Sequence, residues 1–201
     1  TFYNLTRLTY PNGNAEQFTY DGRGNLLRLT DPTGAVWQYT YNSLGQPLTM
    51  VNPGGGTATL TYHPDGTLAS SRDSDTGVSS YVYDTYKRLT RVVRPDGTEM
   101  VFAYDLADNI LRATDERGET ATFVYDANGN MASAIAPPAE AVTATYDLLD
   151  RMTRRTDALG KASTYTYDNM DRLKAVIDRN GNAMTLTYDT RGWPVSLTDS
   201  L

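Results

Sequence analysis

The feature that most constrains this chain is a period. Aligned on tyrosine, the dyads Tyr20-Asp21, Tyr41-Asn42, Tyr62-His63, Tyr83-Asp84, Tyr104-Asp105, Tyr125-Asp126, Tyr146-Asp147, Tyr167-Asp168 and Tyr188-Asp189 recur at a constant spacing of 21 residues. A fixed period of this length means one supersecondary unit repeated along the chain, each copy relying on its neighbours to cover its apolar side. With the tyrosine as position 1, position 15 carries Gly13, Gly34, Gly55, Gly97, Gly118, Gly160 and Gly181, and fails only at Thr76 and Ala139. Position 7 is apolar from Leu5 and Leu26 to Met152 and Leu173, with Pro47 and Pro194 as exceptions.

Each period reads as two strands and two turns. Positions 17 to 22 alternate polar and apolar residues, as in Val36-Trp37-Gln38-Tyr39-Thr40-Tyr41, which is the two-residue period of a half-buried strand. Position 2 is Asp in seven of nine copies and position 5 is Gly or Asp in eight, which predicts a chain reversal through a residue of positive φ. A second strand is expected over positions 6 to 11, such as Leu26 to Thr30, ending in turns such as Asp31-Pro32-Thr33-Gly34. Its apolar positions 7 and 10 are three apart, which strict alternation forbids; a bulge between them reconciles the pattern.

The resulting fold class is all-β: tandem two-stranded repeats in a curved antiparallel meander, a single array over residues 1–201 with roughly 19 strands. A sheet of that width does not stay flat, and right-handed twist is expected to curl it into a spiral or barrel-like wall. The Ala136-Pro137-Pro138-Ala139 stretch replaces a turn without changing the spacing. The array begins and ends within a repeat, so it reads as a segment of a longer one.

Composition narrows the chemistry. With no Cys and one His, a thiol nucleophile, a disulfide framework and a thiolate or multi-histidine metal site are excluded. The net charge of -6 argues against a nucleic-acid partner. Mean hydropathy of -0.50 argues against an apolar membrane-spanning segment. The acids are 19 Asp against 5 Glu, a choice that fits turn chemistry. His63 occupies the slot that Asp fills elsewhere and is expected to be an exposed turn residue. Gly54-Gly55-Gly56 sits at an ordinary turn and lacks the lysine of a phosphate loop. Arg28, Arg91, Arg112 and Arg154, all at position 9, are expected on a solvated face. The aromatic rows, such as Tyr39 and Tyr41 or Tyr165 and Tyr167, are expected to pack as core; the alternative is a glycan-stacking platform.

The pattern YDxxGxLxxxxDxxG, as in Tyr20 to Gly34, resembles the YD repeat of Rhs proteins, teneurins and the C component of insecticidal toxin complexes. That resemblance implies a β-sheet spiral forming a hollow shell, in bacteria enclosing a C-terminal toxin exported by a secretion system. The repeat anchors are then structural: the nine tyrosines above and Gly34, Gly55, Gly97, Gly118, Gly160 and Gly181. The cap, self-cleavage site and toxin domain of that family are absent from these residues. No catalytic residue, cofactor or metal is expected. The expected partners are neighbouring repeats, an enclosed polypeptide, a second sheet edge through self-association and, under the alternative reading of the aromatic rows, a glycan. The runner-up function is a carbohydrate-binding or adhesion module.

Overall fold

The computed structural model describes residues 4–138 and 140–200. All of the regular structure is β. The strands fall into two units, residues 1–99 and 100–201, with the division inside the tenth strand. The first unit holds β1 (Arg7–Thr9), β2 (Ala15–Tyr20), β3 (Leu26–Thr30), β4 (Val36–Tyr41), β5 (Pro47–Val51), β6 (Thr57–Tyr62), β7 (Leu68–Asp73), β8 (Gly77–Tyr83) and β9 (Leu89–Val93). The second holds most of β10 (Glu99–Tyr104), then β11 (Ile110–Thr114), β12 (Thr120–Tyr125), β13 (Met131–Ala136), β14 (Glu140–Tyr146), β15 (Met152–Thr156), β16 (Ala162–Tyr167), β17 (Leu173–Ile177), β18 (Ala183–Tyr188) and β19 (Pro194–Asp199).

Within each unit every strand pairs antiparallel with the next in the chain, from β1 with β2 to β8 with β9 and from β10 with β11 to β18 with β19. The alternation expected for the first strand of each repeat is present. In β4, Trp37, Tyr39 and Tyr41 are half-buried while Gln38 and Thr40 are exposed.

The register fixes the bulge. Thr19 pairs with Arg28 and Tyr20 with Leu26, so Leu27 has no partner on β2. Leu26 and Leu29, opposite Tyr20 and Phe18, therefore share one face despite their spacing of three. The same shift recurs at the tyrosine of every first strand, for example between Val124 and Tyr125 and between Thr187 and Tyr188. The two prolines at position 7 are accommodated as the first residues of β5 and β19, where an edge of the ladder tolerates a missing donor.

No described residue is fully buried. This corrects the expectation of an aromatic core: a single layer of sheet gives each side chain lateral neighbours and nothing above it, so the tyrosines are half-buried, neither enclosed nor open. Where position 15 is Thr76, β7 runs on to Asp73 and the next residue, Gly77, takes the positive φ of 94°. Ala139, the other exception, lies outside the described residues.

Candidate functional site

The repeated unit is itself the functional geometry, and it is built from the tyrosine outward. The Tyr20 hydroxyl donates to the Leu5 carbonyl at 3.0 Å, Tyr41 to Leu26 at 2.9 Å and Tyr62 to Pro47 at 2.8 Å. In the second unit Tyr125 reaches Ile110 at 3.0 Å, Tyr146 reaches Met131 at 3.0 Å, Tyr167 reaches Met152 at 2.8 Å and Tyr188 reaches Leu173 at 2.7 Å. Each bond spans fifteen residues and joins position 1 of one repeat to position 7 of the preceding one. The acceptor residue is the one beside the bulge, where the ladder is locally disrupted. The hydroxyls of Tyr41, Tyr62 and Tyr83 are shifted to higher pKa, chiefly by loss of water around them.

Both turns of the repeat share one construction. Asp21 accepts from the backbone N–H of Arg23 at 2.8 Å and of Asn25 at 2.9 Å through one oxygen, and from the Asn25 side-chain amide at 2.8 Å through the other. At the opposite rim Asp31 accepts from the N–H of Thr33 and of Ala35 at 2.8 and 2.9 Å. Where the turn opens with Arg94-Pro95, Asp96 takes over and accepts from the Thr98 N–H and hydroxyl. Donated hydrogen bonds stabilise the charged carboxylate. The Asn25 amide beside Asp21 and the Thr98 hydroxyl beside Asp96 hold these carboxyls below their ordinary range.

The anchor glycines Gly34, Gly55, Gly97, Gly118, Gly160 and Gly181 all have positive φ, between 76° and 91°. At position 5 the expected Asp substitutes do the same, Asp108 at 66°, Asp150 at 59° and Asp171 at 63°, and so does Lys87 at 64°. Asn52 accepts from the Gly56 N–H at 2.9 Å, so the three-glycine tract is a turn like the others. His63 is exposed in its turn, its ring edge-on to Tyr83 with centroids 6.2 Å apart. Arg28, Arg91, Arg112 and Arg154 are exposed on the face opposite the aromatics, and Arg91 is paired with Glu99.

A layer of contacts not read from the sequence belongs to position 6. Arg151 pairs with Asp147 in its own turn and with Asp171 in the next, at 2.6 and 2.7 Å, and lies 4.6 Å from the centroid of the Tyr167 ring. Arg172 repeats this against Asp168 at 2.7 Å and over Tyr188 at 4.5 Å. Asn130 reaches Asp150 at 2.7 Å and Gln46 reaches the Gly66 carbonyl at 2.8 Å. Successive tyrosine-side turns are thus tied to one another along one rim. The sequence signal was there: position 6 is Asn or Arg in six of nine copies.

The arrangement is periodic and mechanical. The tyrosine hydroxyls and turn carboxylates are committed to holding the backbone. The sequence matches the RHS Repeat family over residues 4–36, 20–57, 104–137 and 146–183, more than half of the chain. No curated protein sequence matches it. Among solved structures, the crystal structure of TcdB2-TccC3-TEV is similar with a TM-score of 0.77 at 13% identity, over 98% of this chain and 12% of that one. The crystal structure of TcdB2-TccC3 is similar with a TM-score of 0.53 at 15% identity, over 96% of this chain and 15% of that one. These likenesses establish the fold, and the chain spans a small part of the structures it resembles.

Proposed function

This chain belongs to the RHS repeat family, and from that premise we propose that it is a wall segment of a β-shell whose role is to enclose a C-terminal toxin or other polypeptide, without catalysing a reaction itself. The observation that carries this reading is the one-layer construction with no fully buried residue among those described. A sheet with one apolar face must hide it by curling until it faces itself or by covering something else. Side chains alone fill a barrel only up to about eight strands, so nineteen-strand arrays leave a volume for a guest. The wall also needs every repeat to do the same work. Identical tyrosine bonds, bulges and turn ties in successive repeats meet that need. Export of the parent from a bacterial cell follows from the same reading.

The test is limited proteolysis of the full-length parent, compared with a parent lacking several whole 21-residue repeats. A container protects the C-terminal polypeptide in the intact protein and exposes it in the shortened one. Equal cleavage in both would abandon the shell and favour adhesion.

A further inference from the structure

In the second unit Arg155 places a cation within a strand on the apolar face. Position 10 carries residues such as Leu29, Met50, Val92 and Val176 in other repeats, and Arg155 in this one. Arg155 pairs across β14 and β16 with Ala144 and Ser163, so it points to the aromatic side of the sheet. Its counterpart Val176 sits between Tyr165 and Met184. Ala144 occupies the place that Phe102, Phe123 and Tyr165 hold in neighbouring repeats. Ala144 is thus small where its column is otherwise large and apolar, Ser163 on the other side is small as well, and the guanidinium stands in a gap in the aromatic row. Arg155 is exposed and forms no side-chain hydrogen bond or ion pair among the described residues.

On a face open to water such an arginine would be neutral in its effect. On a covered face it is not: an unpaired charge taken out of water is strongly unfavourable, whereas a paired one is tolerated. Arginine presents a planar fork of donors matched to a carboxylate. We infer that Arg155 and the gap at Ala144 form an anchoring point for an Asp or Glu side chain, carried on a polypeptide segment from outside residues 1–201 that covers the apolar face between Phe123 and Tyr165. This rests on the reading that the face is covered in the parent, and it adds the partner's chemistry and place of contact.

The experiment places the photocrosslinker p-benzoylphenylalanine at Tyr165, an aromatic position beside the gap, or at Thr166 on the opposite face, in the full-length parent and identifies the joined peptides by mass spectrometry. The expected result is a crosslink from position 165, and not from 166, to an Asp- or Glu-containing peptide outside residues 1–201. Arg155→Glu should lower its yield by about tenfold, and Arg155→Lys, which keeps the charge and loses the fork, should fall between that variant and the parent. Arg155→Ala, chosen because its small side chain fits the gap, should also lower the yield with an unchanged melting temperature. Equal yields from 165 and 166, or a yield indifferent to Arg155→Glu and Arg155→Ala, would overturn the anchor. If the C-terminal polypeptide stays protected in that case, the shell stands without it. If instead the Arg155-dependent crosslink runs to a separate protein, the anchor stands and the shell reading falls.

Discussion

The hydroxyl of Tyr167 donates to the carbonyl of Met152 at 2.8 Å, across fifteen residues and beside the bulged Thr153. The bond satisfies a carbonyl where the ladder is disrupted, and it recurs in repeat after repeat. Tyr167→Phe keeps the ring and removes the bond, so it should destabilise by about 1 kcal/mol. Tyr167→Ser also removes a half-buried ring and the partner of Arg151, and should add roughly 2 kcal/mol to that loss. Urea denaturation of the two variants checks the ordering; equal losses would show that the hydroxyl bond alone matters.

Acid should loosen the turns. Arg172 beside Asp168 and Arg151 beside Asp147 hold these carboxyls below the ordinary aspartate value. A carboxyl whose folded pKa is depressed binds its proton more readily in the unfolded chain. Its contribution is therefore complete above the unfolded pKa of about 3.9 and is lost as pH falls from there through the lower folded value. Asp168→Asn should flatten this acid dependence while keeping the turn, because Asn42 already accepts from Leu44 and Gln46 in the same way. Melting temperatures between neutral pH and pH 2 test the difference.

Gly118 isolates the conformational requirement from packing. Its φ is 81°, and a methyl group added there would meet nothing within 4 Å. Gly118→Ala should destabilise by about 1 kcal/mol through the left-handed backbone alone. The converse, Lys87→Gly at φ 64°, should relieve a comparable strain, less what Lys87 gains from its 2.7 Å bond to the Asp65 carbonyl. Thermal melts that leave Gly118→Ala unchanged would contradict this account.

Deletions should be tolerated by whole periods only. Removing residues 146–166 joins Thr145 to Tyr167 and restores the face of every downstream side chain. Removing 146–165 leaves one extra residue and turns the downstream aromatic row to the opposite side. The first variant should melt cooperatively near the parent and the second should lose stability or aggregate. Circular dichroism melts and size-exclusion profiles of the pair decide this.

Much of the fold was legible because its signals are local. The Asp and Gly of a turn act within five residues, and the conflict between Leu26 and Leu29 could be resolved only by an inserted residue, which the register places at Leu27. The tyrosine bonds were not legible, because a phenol reaching a carbonyl fifteen residues away leaves no trace beyond the tyrosine itself. The turn ties at Arg151 and Asn130 left a compositional trace at position 6. The aromatic core was misjudged for a physical reason: alternation shows that one face is apolar, but it carries no information about whether a second layer covers that face.

The bulge has a consequence for heredity. Because every repeat corrects its own strand parity beside its tyrosine, any two repeats are interchangeable as joining points. Unequal recombination between copies of the coding sequence, when it exchanges equivalent positions, yields a chain that stays in phase. Such an array can lengthen or shorten in steps of one strand pair without redesigning a single contact.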